Sequence, residues 1–481
     1  MMEPLEERGD AMIYLNRQSN EPLYAQIYDQ IKEEILTEAL KEDDLLTGSR
    51  AFAEILGVGR NTVNTAYSQL IAEGYVHSAK GIGLRVKKVP RLSIKKEKIT
   101  KKQKSSSTTS SPSKTVVYDL TNSSQTSELF PKKLWKRYTI DCLDFLADEA
   151  RLSSYQDKQG EIYLRKNLLA YLAKTRGVHC DESQLILTCG LQQSLEYLCK
   201  LIPFEQDSLL MEDPGFDKAA AVFRTNKIPI RTIPVDDEGL IVSELPEQTT
   251  VRAVYATPSH QFPTGATLSI DRRYKLLDWA EQNGSFIIED DFDSELRYYS
   301  KPIPALQSID EHDRVIYLGT FSKALSPSIR MGYMILPPQL LQRYLEMFEL
   351  YNSSVPLLNQ YVIARLIETG HYERHIRRLN HTFRKRLEAF TAELADVKDK
   401  IKISSNGSGQ YFLLTFTQEV QQKQLINQAL KRGVKVYSTM QFWQEKAECP
   451  PNTLFLGFSK IDLADIPDCV ARLKQAWAEW L

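Results

Sequence analysis

The stretch RVIYLGTFSKALSPSIR, residues 314–330, decides the fold. Its first half is an uninterrupted run of apolar residues, which predicts a strand buried on both faces. Such strands belong to mostly parallel sheets covered by helices, so the surrounding chain should be α/β. The second half turns to small hydroxyl residues around Lys323 and ends at Arg330. A lysine straight after a buried strand needs solvent, a partner or a lowered pKa. Partly desolvated, it is a good Schiff-base nucleophile. Arg330 can clamp a phosphate, and Thr320 or Ser322 can donate to it. Taken alone, such a lysine is more often a surface residue at a strand end.

The same grammar recurs on either side, in QLILTCG (184–190), RAVYATP (252–258) and SFIIEDD (285–291). Short apolar strands alternate with helical patterns, as a parallel sheet requires. Leu191 and Gln192 follow a glycine turn at a helix start, where free backbone N–H groups suit a phosphate. Asp290 ends an apolar strand, the place where α/β folds bind ligands. It can pair with a protonated pyridine nitrogen, or it can belong to a charged loop. Phe216 follows another strand and can stack on a ring or fill the core. His260, in the tight loop TPSHQFPTG (257–265), is a ligand candidate or a satisfied turn histidine.

These strings, in this order, resemble the class I/II aminotransferases of fold type I over residues 119–481. The resemblance implies pyridoxal 5′-phosphate as cofactor, with Lys323 carrying the internal aldimine. It implies that Asp290 faces the pyridine nitrogen, with Asp291 as second choice, and that Phe216 stacks on the ring. Leu191, Gln192, Thr320, Ser322 and Arg330 would hold the phosphate. His260 is counted with the cofactor residues, and Tyr155 would reach the partner subunit's site in a homodimer.

The N-terminal block reads differently. Leu23, Ile27, Ile31 and Ile35 form an apolar stripe on a first helix. A second helix over 49–56 should turn Phe52, Ile55 and Leu56 inward. After Gly57-Val58-Gly59 comes a third helix, about 61–73, with Val63, Ala66, Tyr67, Leu70 and Ile71 on its apolar face. Its other face, Asn61, Asn64, Thr65 and Ser68 with Arg60 at the start, carries short hydrogen-bonding side chains suited to bases and phosphates. Helix, glycine turn and polar helix suggest a helix-turn-helix. GYVHSAKGIGLRV (74–86) adds two short strands around a glycine tip, like a wing.

Residues 13–88 resemble the GntR winged-helix family. The resemblance implies DNA roles for Arg50, Arg60, Asn61, Thr62, Asn64 and Thr65, and for Lys80 and Gly81 in the wing. Thr47-Gly48 stands where the family has Pro-Ser, and Gly59 stands where it has Ser. Residues 89–118, rich in Lys and Ser, should be a flexible linker. A GntR winged helix, a linker and an aminotransferase-like domain together resemble the MocR-type regulators.

The whole chain has 481 residues, 61 Lys+Arg against 62 Asp+Glu, and a net charge of −1. That balance excludes a polycationic coat for nucleic acid. Six scattered cysteines without zinc spacing argue against a disulfide scaffold or a structural metal. The acidic start is unlike a signal peptide, and no apolar run is long enough to span a membrane, so a cytoplasmic protein is expected. Residues 454–460, where transaminases of this fold place a carboxylate-binding arginine, contain none. Phe292 stands where a loop tyrosine would approach the cofactor. Efficient amino-acid turnover is therefore not expected. The reading is a regulator that senses pyridoxal phosphate, controlling vitamin B6 synthesis genes. The alternatives are sensing of a cofactor–amine adduct, or a true aminotransferase with a DNA-binding appendage.

Overall fold

A computed structural model describes residues 13–19, 21–79, 82–89, 116–121, 128–204, 209–299 and 303–481. The chain divides into two compact units, Met1–Ser110 and Ser111–Leu481.

The first unit contains α1 (Leu23–Leu36), α2 (Ser49–Leu56), α3 (Arg60–Ala72), β1 (Val76–Ala79) and β2 (Gly83–Val86). Its core joins Ile27, Ile31 and Ile35 of α1 to Val63, Ala66 and Leu70 of α3, closed by Val76 and Val86. The expected stripes therefore hold, with two exceptions. Ile55 is 66 % exposed and Ile71 is 42 % exposed. Ile55 lies two residues beyond buried Ala53, about 200° around the helix, so it faces away from the core. Ile71 is rotated by about 100° from buried Leu70 and falls off the stripe. Gly57, at φ 62, ends α2 in the left-handed conformation. The Tyr67 hydroxyl donates to the Thr47 carbonyl at 2.7 Å, tying α3 to the approach to α2. Gly48 and Gly59 are the N-caps of α2 and α3, and neither helix has a side-chain cap. Glycine there costs only a few tenths of a kcal/mol relative to serine, which is why both helices tolerate it. In the wing, β1 and β2 pair antiparallel from Val76↔Val86 to Ala79↔Gly83. Lys80, Gly81 and residues 90–115 of the expected linker lie outside the described residues.

The second unit opens with β3 (Tyr118–Asp119), α4 (Lys132–Asp148), α5 (Ile162–Arg176), β4 (Leu185–Thr188) and α6 (Leu191–Leu201). β5 (Leu209–Asp213), α7 (Asp217–Thr225), β6 (Ile230–Asp236), β7 (Gly239–Leu240), β8 (Ala253–Ala256) and α8 (Ile270–Gln282) follow. Next come β9 (Phe286–Asp291), β10 (Val315–Thr320), β11 (Gly332–Ile335), α9 (Pro338–Met347), α10 (Leu357–Glu368) and α11 (His371–Glu393). The last part holds β12 (Ile401–Ser404), β13 (Tyr411–Phe416), α12 (Gln422–Lys431), β14 (Val434–Lys435), β15 (Tyr437–Ser438), β16 (Thr453–Gly457) and α13 (Ile466–Ala476).

Eight strands form the main sheet in the order β4-β11-β10-β9-β8-β5-β6-β7. The neighbours from β10 through β9, β8 and β5 to β6 pair in parallel. β4, β5, β8 and β9 are buried at every residue, as their continuous apolar runs predict. β11 is inverted, antiparallel to both β10 and β4. Two inversions restore direction, so β4 ends on the same edge as β10. In register, Thr188 lies opposite Gly332, which lies opposite Thr320. The carboxyl ends of β4, β5, β8, β9 and β10 thus open on one edge, the usual place for a ligand in such sheets. A smaller antiparallel sheet, β12-β13-β16-β15, forms a second lobe. Val117, assigned from sequence to the linker, donates to the Gly433 carbonyl at 2.8 Å, and Tyr118 pairs with Val434. Among the described residues no helix is long and apolar enough to cross a membrane.

Leu70 is fully buried between α1 and α3. Leu70→Ala should destabilise the first unit by about 2–5 kcal/mol. Urea unfolding of the full chain should show one transition moving to lower denaturant while that of the second unit stays in place.

Candidate cofactor site and nucleic-acid interface

A cavity of about 560 Å³ opens at the carboxyl edge of the main sheet. Leu191, Gln192, Phe216, Thr320, Ser322, Lys323 and Arg330, all singled out from sequence, line it together. Three connections bring them there, after β4, after β5 and between β10 and β11. Gly190, at φ 98, turns β4 into the N-terminus of α6. The first N–H groups of that helix have no intrahelical partner and suit an anion. A Cβ on Gly190 would sit 3.2 Å from Arg330 Nη2, so a larger residue would crowd the guanidinium. Arg330 itself adopts φ 52, a left-handed conformation uncommon for a side-chain-bearing residue. Its Nη2 donates to the Cys189 carbonyl at 2.8 Å, which places the guanidinium beside the α6 start. Thr320 Oγ1 donates to Ser322 Oγ at 3.0 Å and accepts from the Ser322 N–H at 3.1 Å. A guanidinium, a helix N-terminus and two hydroxyls make one anion cradle, the donor set a phosphate needs.

The two adjacent carboxylates ending β9 have opposite fates. Asp291 accepts from Arg176 Nε at 2.8 Å and from the Tyr317 hydroxyl, with Asp291 and Arg176 both almost fully buried. Asp290 has one side-chain partner, the Tyr255 hydroxyl. Tyr255 belongs to the core cluster shared with Leu195 of α6 and Ala219 of α7, on the sheet face that bears the cavity. Asp290 is buried at the strand end and is not part of the lining itself. Burial pushes its carboxyl up to about 7, with the Tyr255 hydroxyl opposing and the Asp291 and Asp293 charges adding. A buried carboxylate paired to no cation among the described residues has the chemistry to accept a pyridinium N–H. Asp291, already neutralised by Arg176, does not.

Lys323 is half-buried in the lining. Burial pulls its ammonium down to about 8; the Asp293 carboxylate opposes this, and the Lys218 charge adds to it. Phe216 and Phe292 present parallel rings, 4° apart in plane, with centroids 6.5 Å apart. Phe216 and Phe292 both line the cavity, so a planar ring has an aromatic wall to stack on. Together with the anion cradle, these residues fit pyridoxal phosphate.

The other sequence candidates lie elsewhere. His260 is buried outside the lining, its Nδ1 2.8 Å from Asp293 Oδ1 and its ring stacked behind Phe292. Tyr155 is 89 % exposed. Sequence reasoning missed Tyr255, Arg176 and the ring cluster of Phe262, Tyr411, Phe442 and Phe455. Phe262 lies in TPSHQFPTG and Phe455 within 454–460, and nothing local in either stretch assigns them to one wall.

On the first unit, Arg50, Arg60, Asn61, Asn64 and Thr65 are exposed and Thr62 is half-buried. Val63, Ala66 and Tyr67 hold the opposite side of α3 in the core. No acidic residue occurs in α3, so its outer face is polar with Arg60 at the positive end of the helix. Such a face suits phosphate and base edges.

The neutral amine of Lys323 prevails above about pH 8, well below the range of an ordinary lysine. Capture of pyridoxal phosphate, followed by stopped-flow absorbance, should accelerate with pH and level off above about 8, and Lys323→Ala should remove the absorbance of the lysine-bound cofactor. Asp290→Asn should lower affinity for the cofactor by about 100-fold, as measured by titration.

The family described as "Aminotransferase class I and II" matches residues 121–445. "Bacterial regulatory proteins, gntR family" matches residues 23–86. The uncharacterized HTH-type transcriptional regulator YdeL of Bacillus subtilis is 36 % identical over 97 % of this chain and 99 % of its own. The probable rhizopine catabolism regulatory protein MocR of Rhizobium meliloti is 30 % identical, covering 97 % and 96 %. The pyridoxine biosynthesis regulator PdxR of Corynebacterium glutamicum is 28 % identical, covering 96 % and 99 %. Among solved structures, the kynurenine aminotransferase of Pyrococcus horikoshii in complex with PMP superposes with a TM-score of 0.69 at 27 % identity, covering 76 % of this chain and 92 % of that one. With both modules matched and relatives aligned end to end, the chain belongs to the MocR-type GntR transcriptional regulators, whose aminotransferase-fold domain takes pyridoxal phosphate.

Proposed function

We propose that pyridoxal phosphate, held through Lys323, is the effector of this regulator and that vitamin B6 synthesis genes are its target. The protein then works in the cytoplasm as a homodimer on double-stranded DNA, without efficient transaminase turnover. Its working parts are the DNA-binding domain over 13–88, the linker over 89–118 and the cofactor domain over 119–481. The name of the PdxR relative supports the target. Exposed Ile140, Leu143 and Phe145 on α4 and Leu350 after α9 support a self-association face. Tyr155, equally exposed, is the residue proposed to reach the partner's site.

One observation carries the regulatory reading. The segment that leads in from the linker is fastened to the cavity wall. Asp119 Oδ1 accepts from the Tyr437 hydroxyl at 2.6 Å, and both Tyr437 and Thr121 line the cavity. An enzyme has no need to couple its site to a tether; a sensor does. Bound there, pyridoxal phosphate supplies an aldehyde that bonds to an amine and a ring that withdraws electrons. The chain's residues bind and orient it: Arg330, Thr320, Ser322 and the α6 start hold the anion, Asp290 the ring nitrogen, Phe216 the ring face. Occupancy packs against the wall that includes Tyr437 and Thr121 and so shifts the linker root. Two winged helices reading paired half-sites are sensitive to their separation. A second reading, a cofactor–amine conjugate as signal, is favoured by the aromatic chamber beside Lys323.

Titration of the purified chain onto DNA upstream of its own gene, with and without pyridoxal phosphate, tests the proposal. The cofactor alone should change affinity or footprint; a response only when an amine is added would replace it with the second reading. Tyr437→Phe should keep cofactor absorbance and lose most of the DNA response. Arg60→Ala should weaken operator binding and lower its salt slope by about 1; unchanged affinity would remove α3 from the interface.

A further inference from the structure

Beyond the phosphate end, the cavity is walled by rings. Phe216, Phe262, Phe292, Tyr437, Phe442 and Phe455 all line it. They form one packed cluster, not isolated contacts. Phe262 meets Phe442 edge-on at 4.8 Å, Phe442 meets Phe455 at 5.2 Å, and Phe216 meets Phe262 edge-on at 5.3 Å. Phe262, Phe442 and Phe455 are each only 4 % exposed, so this wall is dry and rigid.

The charged lining residues are four: Asp217, Lys218, Lys323 and Arg330. Arg330 is fixed at the Cys189 carbonyl beside the α6 start. Lys323 is the covalent anchor. Asp217 and Lys218 open α7, adjacent and of opposite sign, with Lys218 exposed at the rim. Among the described residues the inner wall of Phe262, Phe442 and Phe455 adds no cation of its own, and Lys218, whose charge is felt at Lys323, is exposed beside Asp217. A carboxylate pressed against that wall would lose water, and a solvated lysine already next to an acid returns little of that cost. An apolar body would gain burial and edge contacts.

We propose that this chamber selects the group attached to the cofactor: a primary amine with an apolar, ring-sized body and no carboxylate. The inference rests on Lys323 holding pyridoxal phosphate in this cavity. Exchange needs no oxidant or reductant. The incoming amine nitrogen forms a double bond to the carbon that Lys323 Nζ leaves, and its two protons pass to Nζ, which is released as a free amine. The cavity thereby admits the arylalkylamine class at the cofactor and discriminates against the parent amino acids, whichever of the two signals the DNA response follows.

Calorimetry on the full chain freed of cofactor tests this with stable reduced conjugates, phosphopyridoxyl-phenethylamine and phosphopyridoxyl-phenylalanine, which differ by one carboxylate. The phenethylamine conjugate should bind about tenfold or more tightly than the other. Phe455→Arg should narrow or reverse that ratio by giving the carboxylate a partner. Phe442→Leu, a milder change, should weaken the phenethylamine conjugate selectively while leaving pyridoxal phosphate binding in place. Equal binding of the two conjugates, or preference for the carboxylate, overturns the inference with the cofactor site intact. Failure of pyridoxal phosphate itself to bind overturns the cofactor assignment beneath it.

Discussion

The site depends on how a pleated strand distributes two neighbouring carboxylates. Successive side chains of β9 point to opposite faces of the sheet. Asp291 goes to the face where Arg176 waits, and the two form an ion pair almost fully removed from water. A buried pair of this kind is stable only when its geometry is good and its remaining lone pairs are satisfied. Tyr317, bonded to Asp291, and Ser259, bonded to Arg176, supply most of that satisfaction, while Arg176 Nη1 is buried without a partner among the described residues. With Asp291 settled, Asp290 is held on the other face beside Tyr255, buried and without a cation among the described residues. The sheet thus separates an ion-paired acid from the one proposed to meet the cofactor by a single residue. The other residues proposed for the cofactor lie near the same edge of the sheet.

Much of this was legible in the residues. Continuous apolar runs announced buried strands, and their ends announced where polar side chains would gather. Seven of the candidates for the cofactor converge on one cavity because six of them lie at a strand's carboxyl end or at a helix start, and Arg330 closes the same β10–β11 connection just before β11. The choice between Asp290 and Asp291 was not legible, since it turns on Arg176, a residue of α5 more than a hundred positions earlier. The inverted strand β11 was equally silent: four buried residues read the same in either direction. Ile55 and Ile71 were placed inward by composition, whereas helical rotation puts them outside. His260 illustrates a different limit. Its loop lies near the site, but its ring is bound to Asp293 behind Phe292, and a sequence does not say which side of a ring a neighbour occupies.

The ring wall was the largest feature outside sequence reach. Phe262 comes from the main sheet's loops, while Phe442 and Phe455 come from the smaller lobe, so the wall exists only where two lobes meet. The same meeting line is where residues 454–460 carry no arginine. Phe455 of β16 packs there into the ring cluster, while Leu454 and Leu456 face the other core. Losing the clamp and gaining a hydrophobic wall are one change in chemistry, not two.

The pairing of β3 with β14 has a mechanical side. Val117 and Tyr118 are held by Gly433 and Val434 in a short parallel ladder, and Tyr118 is further bonded to Asp468 of α13. Parallel strands pulled along their axis share the load across all their hydrogen bonds at once, so the joint is stiff in that direction. Tension arriving from upstream of residue 117 is therefore not dissipated at the surface. It is delivered through Asp119 to Tyr437, a residue of the cavity wall. A displacement of residues 117–119 is therefore also a displacement of the cavity wall, so one short ladder is both an anchor for the chain and a boundary of the chamber.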